Sequence, residues 1–368
     1  MDILGIDHLE LYVGDARQAA FYFSTAVGFT PYGEGGPETG LPEQRSVVLR
    51  HGSVQLQLTS ALTADHPAAG YVHRHGDGIA VIALEVGDLS ATYAELLHRG
   101  ATVIAPPARF ADGDAVVEVA TVGGFGDVAH RLVQRHGPRT PFLPGAIRAA
   151  APEPTEPELF SEIDHLAVCV PAGELGATVR RYREVFGFAK IFEERMEVAG
   201  QAMNSEVVQD PSGRVTLVVL EPDPSRRPGQ LADFLRWHAG AGVQHLALRT
   251  DDIVAAVTDL GRRGVRFATT PSTYYDTLAE RVGVLDAPLE RLRELGILVD
   301  RDHDGQLLQI FTESMHVRRT LFLELIERRG AQTFGSGNIK ALYEAKEREL
   351  AAVAAAGVAD PAPQTTGV

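Results

Sequence analysis

Ile163-Asp164-His165-Leu166-Ala167-Val168-Cys169-Val170 repeats a stretch met half a chain earlier, Ile6-Asp7-His8-Leu9-Glu10-Leu11-Tyr12-Val13. Both read as strands, because alternate residues of a strand share a face: His165, Ala167 and Cys169 on one side, Leu166, Val168 and Val170 on the other. Each is followed by a helical stretch closing at a glycine, Val27-Gly28-Phe29 and Phe186-Gly187-Phe188. The match continues outward. GDGIAVIALEVGDL (76–89) resembles GAGVQHLALRTDDI (240–253), and each leads into an amphipathic helix ending at Arg99-Gly100 or Arg263-Gly264. Finally His130-Arg131-Leu132-Val133-Gln134-Arg135 aligns with Leu323-Glu324-Leu325-Ile326-Glu327-Arg328. A period of half the chain means two copies of one unit. Strands alternate with helices, yet near the aligned histidines they show period-2 alternation, which favours mixed or antiparallel sheets with one lined face. The expected fold is therefore α+β, with duplicated domains over 1–136 and 161–350. A Pro- and Ala-rich linker is expected over 137–160 and a disordered Ala/Pro/Thr-rich tail over 351–368.

The chain has 368 residues, enough for two domains with cores of their own, and 45% apolar residues, ordinary for a globular protein. A formal charge of −15 argues against nucleic acid and anionic membranes, both of which need a basic face. The single cysteine, Cys169, excludes an intrachain disulfide and a cysteine-based zinc site. The N-terminus shows no signal peptide and no segment is long and apolar enough for a membrane helix, so a cytoplasmic protein is expected.

Duplication supplies an internal control. His165 aligns with His8, His245 with Val81, and Glu324 with Arg131, so the second half has three potential ligands where the first has one. A metal site is expected only in the C-terminal domain, and His8 is expected to be structural. Glu324 lies in an apolar strand between Leu323 and Leu325, and burying an unpaired carboxylate costs several kcal/mol unless a cation or a proton neutralises it. Two imidazoles and one carboxylate form the facial triad of non-haem Fe(II) oxygenases, which leaves positions open on the metal. Alternation alone equally admits three buried polar residues bonded to one another.

From 161 to about 347 the sequence closely resembles the family of 4-hydroxyphenylpyruvate dioxygenase and 4-hydroxymandelate synthase, in the vicinal oxygen chelate superfamily. The motifs are Ile163-Asp164-His165, Pro228-Gly229-Gln230, Gly242-Val243-Gln244-His245-Leu246-Ala247, Leu307-Leu308-Gln309-Ile310-Phe311, Phe322-Leu323-Glu324 and Phe334-Gly335-Ser336-Gly337-Asn338. The first half is similar to that family's metal-free N-terminal domain. The resemblance implies domains built from βαβββ modules, each curving into an open barrel. It also implies Fe(II) held by His165, His245 and Glu324, and a homo-oligomer, first of all a dimer. Ser205, Gln230, Gln244 and Gln309 fall on the family's polar pocket positions, with Phe311, Phe322 and Phe334 as aromatic walls. A helix from Asn338 through the Glu-rich stretch at 344–349 would be a lid that keeps water and stray reductants out. Tyr274 and Tyr275 are expected to pack, and Trp237 and His238 to sit on a surface helix.

The two enzymes of this family share 4-hydroxyphenylpyruvate and O2 and differ in the carbon that is hydroxylated. Dioxygenases oxidise the ring and give homogentisate; the synthase oxidises the benzylic carbon and gives 4-hydroxymandelate. The dioxygenases' Pro-Ile-Asn-Glu-Pro is here Val218-Val219-Leu220-Glu221-Pro222, and their Gly-Asn-Phe is Gly337-Asn338-Ile339. Val218, Leu220, Asn338 and Ile339 thus join the expected substrate contacts, and the changes resemble the synthase. That would place the enzyme in supply of 4-hydroxyphenylglycine to a peptide natural product rather than in tyrosine breakdown. Two other readings are a metal-free protein binding small aromatics and an extradiol dioxygenase with the same ligand set.

Overall fold

The computed structural model describes residues 1–150, 158–198, 200–342 and 345. The tail 351–368, residues 151–157 of the expected linker and most of the Glu-rich 344–349 stretch lie outside them. The first half runs β1 (Ile3–Tyr12), α1 (Ala16–Tyr22), β2 (Thr30–Gly35), β3 (Gln44–His51), β4 (Val54–Ala61), α2 (Pro67–His75), β5 (Gly78–Val86), α3 (Leu89–His98), β6 (Val103–Asp112), β7 (Ala115–Phe125) and β8 (Val128–His136), then the short β9 (Arg148–Ala149). The second runs β10 (Glu162–Cys169), α4 (Leu175–Glu184), β11 (Ala189–Val198), β12 (Gln201–Gln209), β13 (Thr216–Pro222), α5 (Gln230–His238), β14 (Gly242–Arg249), α6 (Ile253–Arg262), β15 (Leu298–Arg301), β16 (Gln306–Phe311) and β17 (Phe322–Arg329).

The strands form two curled half-barrel sheets, ordered β6-β7-β8-β5-β1-β4-β3-β2-β9 and β11-β12-β13-β10-β14-β17-β16-β15. Read backwards, the second order reproduces the first strand for strand, apart from β9. Each half is a pair of βαβββ modules joined antiparallel at the centre, β1 against β5 and β10 against β14, with parallel pairs on either side. Register keeps the duplication exact where it matters. His8 faces Ala83 as His165 faces Ala247, and Ala83 faces Arg131 as Ala247 faces Glu324.

Local chemistry sets the helix starts. Asp15, Asp88 and Asp252 each turn a carboxylate back onto the free N–H groups of the first turn of α1, α3 and α6. Those helices lay their apolar stripes on the outer faces of the sheets, where Leu89, Leu96, Ile253, Val257 and Leu260 are buried. Among the described residues no helix is long and apolar enough to cross a membrane.

Two features differ from the sequence-based expectation. Part of the expected linker is woven into the first half: β9 pairs with β2, and Phe142 and Ile147 bury themselves against Val48. His238, expected on a surface helix, is 2% exposed. Leu231, Phe234 and His238 form the inward stripe of α5, whereas Trp237 points outward. The His238 ring stacks on His75 of the first half at 4.4 Å, and His75 reaches Asp127 at 2.8 Å. A second bridge between the halves joins His130 to the Tyr182 hydroxyl at 2.7 Å.

Candidate metal centre

The middle of the second sheet brings β10, β14 and β17 side by side, and with them His165, His245 and Glu324. One ligand atom from each lies within 4.8 Å of the others. The Glu324 carboxylate is 3.4 Å from Nε2 of His165 and 3.3 Å from Nε2 of His245. Bonds of about 2.1 Å at right angles would set ligand atoms about 3 Å apart, so the three donors fit one small cation with little movement. Glu324 is 2% exposed and His165 3%. Burial by itself would push the Glu324 carboxyl up, but hydrogen bonds from His165 and His245 hold it at about 2, so the carboxylate is ionised. Burial would lower His165, yet Asp164 and Glu324 raise it to about 9, while burial prevails at His245 and lowers it. One buried, ionised carboxylate therefore stands between two imidazoles, an arrangement a divalent cation would complete.

His165 is held from behind. Its Nδ1 meets Asp164 at 2.8 Å, which leaves Nε2 to face the centre. Asp164 in turn accepts two bonds from Arg328, at 2.7 and 2.8 Å. Burial would raise the Asp164 carboxyl, but Arg328 and His165 keep it well below the usual carboxylate range.

In front of the triad lies a cavity of about 420 Å³. Its walls include Ser205, Val218, Leu220, Gln230, Gln244, Gln309, Phe311, Phe322, Phe334 and Ile339. The Gln309 amide oxygen is buried and has no hydrogen-bond partner, so it offers an acceptor to a bound molecule. Phe334 packs edge-on against His165 with centroids 5.4 Å apart. The described part of the expected lid, helical over 336–342, contributes Ser336, Ile339 and Leu342 to the cavity.

Asn338, expected to touch substrate, does not line this cavity. It is fully buried and accepts a hydrogen bond from the Tyr274 hydroxyl at 2.6 Å, which anchors the lid helix to the body. Tyr274 and Tyr275 are packing residues, 0% and 2% exposed. Sequence reasoning missed Phe192, Met196 and Met203, which complete the apolar wall. The only signal for them was alternation along two exposed-looking strands, β11 and β12. Ser336 stood inside a motif already singled out.

The first half shows what the same frame does without ligands. His8 is buried and meets Asp7 at 2.6 Å. Arg131, in the place of Glu324, puts its guanidinium 2.8 Å from Glu10, an internal ion pair where the second half has open space.

A centre of two imidazoles and one carboxylate, opening onto an apolar cavity inside a duplicated βαβββ barrel, defines a dioxygenase-type enzyme of the vicinal oxygen chelate fold. Comparison with known proteins agrees. The model of the glyoxalase/bleomycin resistance protein/dioxygenase superfamily matches residues 5–125 and 162–310. A 4-hydroxyphenylpyruvate dioxygenase of Yarrowia lipolytica is 33% identical, covering 94% of this chain and 92% of its own. One from Dictyostelium discoideum is 35% identical, covering 94% and 98%. The solved structure of a triple-substituted 4-hydroxymandelate synthase from Streptomyces coelicolor is 43% identical, covers 95% of this chain and 100% of its own, and has a TM-score of 0.85. The chain belongs to this superfamily and, within it, to the family of 4-hydroxyphenylpyruvate dioxygenase and 4-hydroxymandelate synthase.

Proposed function

We propose that the enzyme is a 4-hydroxymandelate synthase, converting 4-hydroxyphenylpyruvate and O2 to 4-hydroxymandelate and CO2. The carrying observation is the cavity wall. Val218, Leu220 and Ile339, three of the positions that depart from the dioxygenase pattern, all line the space in front of the triad. The greater identity to the synthase structure, 43% against 33–35% for the dioxygenases, supports the same reading.

His165, His245 and Glu324 would hold Fe(II), and the donor set fits it. Iron bound there would activate O2, the oxidant of both the decarboxylation and the hydroxylation. The chain's own residues orient the substrate. Phe311, Phe322 and Phe334 confine the aromatic ring, and Ser205, Gln230, Gln244 and Gln309 offer hydrogen bonds to its polar groups. Leu220 gives the ring no hydrogen bond, and Ile339 is shorter than a phenylalanine, so the ring tilts and the benzylic carbon comes forward. Ile339 and Leu342 of the lid close the apolar side and keep water out. We extend the reading to a homodimer in the cytoplasm, with no nucleic acid or membrane partner; light scattering tests the assembly.

The domain assignment, an N-terminal metal-free unit and a C-terminal catalytic unit, rests on the same triad, which only the second half assembles. An intact triad disfavours a metal-free binding protein, and the Gln309 and 334–339 motifs disfavour an extradiol enzyme. The dioxygenase outcome is the second reading, because the relatives from Yarrowia lipolytica and Dictyostelium discoideum have that activity in their names. Reconstitution with Fe(II), 4-hydroxyphenylpyruvate and O2, followed by proton NMR of the product, decides. A para-substituted ring with a carbinol proton supports the synthase; a trisubstituted ring with an intact methylene establishes the dioxygenase.

A further inference from the structure

The group behind the metal centre exists twice. In the second half Arg328 grips Asp164 with two bonds, Asp164 holds Nδ1 of His165, and Phe334 packs edge-on against the His165 ring. A third prong of Arg328 donates to the Thr333 carbonyl at 2.7 Å, and its guanidinium lies 5.3 Å from the Phe334 ring centre. In the first half Arg135 grips Asp7 at 2.6 and 2.8 Å, and Asp7 holds Nδ1 of His8. Arg135 donates to the Phe142 carbonyl at 2.6 Å and lies 5.0 Å from the Phe142 ring, which packs edge-on against His8 at 4.8 Å. The Arg–Asp fork, the Asp–His bond and both ring contacts recur, with the guanidinium's backbone bond shifted by one residue (Thr333 beside Phe334, Phe142 itself), although only one copy stands beside a complete set of ligands.

The surroundings of the two copies differ in a useful way. Phe142 belongs to the chain that leaves the first half, whereas Phe334 and Thr333 lead directly into the lid helix. The Gly335 carbonyl receives the Asn338 and Ile339 amides, so the first turn of the lid begins one residue after Phe334. Arg328 therefore touches, with one rigid planar group, both the carboxylate that aims a metal ligand and the backbone on which the lid is mounted.

We propose that Arg328 is a positioning residue that couples the seating of the lid to the aim of His165. With Thr333 and Phe334 in place, the guanidinium is fixed, Asp164 is fixed and His165 presents Nε2 to the cation. If the lid base lifts, the guanidinium loses its third bond and the aromatic face beside it, and the carboxylate that orients His165 loses its anchor. Metal affinity and lid order are then two readings of one arrangement.

The duplicate supplies the control. Arg328→Gln and Arg135→Gln remove the same bonds from the same frame, one with ligands nearby and one without. Metal-stripped protein is titrated with Co(II), following its visible absorption, and hydrogen–deuterium exchange is followed over 331–339. Arg328→Gln is expected to weaken Co(II) binding about 10- to 100-fold, the usual cost of losing such a partner, and to raise exchange over 331–339. Arg135→Gln is expected to leave Co(II) binding within about twofold and that exchange unchanged. Arg328→Lys, which keeps the charge but not the planar fork, is judged by the same criterion and stands in if Arg328→Gln fails to fold. Exchange that rises while Co(II) affinity holds overturns the coupling, as does an equal loss of Co(II) binding in Arg135→Gln. The inference rests on the metal-site reading, which fails separately if the unaltered protein takes up no Co(II).

Discussion

Gly335→Ala tests whether one missing methyl group sets the substrate pocket. Gly335 has φ +72°, a left-handed backbone that costs an alanine about 1–2 kcal/mol. Its added methyl would overlap the Gln309 amide, whose carbon and nitrogen lie 2.7 and 2.9 Å from the Cβ position. Something must yield, either the Gln309 side chain or the start of the lid. If Gln309 yields, a buried polar group of the substrate loses its partner, at a cost of about 1–3 kcal/mol. That is a fall of about 5- to 150-fold in kcat/KM, since each 1.36 kcal/mol is tenfold. The decisive measurement is a double-mutant cycle read by oxygen uptake and by thermal unfolding. In a Gln309→Ala background the clash is gone, so Gly335→Ala should change kcat/KM by less than about twofold while still lowering the melting temperature through its backbone cost. Fully additive losses in kcat/KM would refute the reasoning and place the effect of Gly335 on the lid alone.

Glu324→Gln removes the proposed anionic ligand and should weaken Fe(II) or Co(II) binding by more than about 100-fold, beyond the cost of losing an outer partner; equilibrium dialysis measures it. Leu220→Asn combined with Ile339→Phe should shift product from 4-hydroxymandelate toward homogentisate. A change of about 1.4 kcal/mol in relative barriers moves the ratio tenfold, and an unchanged ratio in the NMR spectrum would remove these two residues from the specificity argument. Burial holds His130 and His238 down at about 4, against about 6.5 in an unfolded chain. The unfolded state therefore takes up their protons first. Stability is complete above pH 6.5 and falls as pH drops toward 4, by on the order of 3 kcal/mol for each histidine. Arg181 beside His130, and His75 and Arg318 beside His238, act in the same direction, with Asp127 opposing at His238. Urea midpoints at pH 7 and 4.5 measure the fall, and His130→Phe should flatten it.

The duplicated frame was legible because strand alternation and short motifs are local, and because a repeat reports its own alignment. The candidate triad was legible from the same alignment, and strand register brings its members together, with His245 beside Phe322 and Ala247 beside Glu324. What escaped was set by contacts distant in sequence. Asn338 reads as a pocket residue until Tyr274, from another part of the chain, takes its amide oxygen. The segment around Phe142 has linker composition, and the Asp7–Arg135 pair, Val48 and the edge of β2 give it a place to dock. His238 was legible in principle. Leu231, Phe234 and His238 have the spacing of one helix stripe, but His238 at its end meets His75 of the other half, and nothing local announces that.

The ion pair between Glu10 and Arg131 gives protein engineering a short route to a second centre. At the positions that decide ligation, the halves differ by Val81 for His245, Arg131 for Glu324, and Glu10 where the second half has Ala167. His8, already aimed by Asp7, needs no alteration. Val81→His, Arg131→Glu and Glu10→Ala together exchange a buried cation and its counter-ion for two further donors on a frame built to hold them. One polypeptide would then carry two ions in equivalent cages, and the untouched copy would serve as the internal standard for the new one.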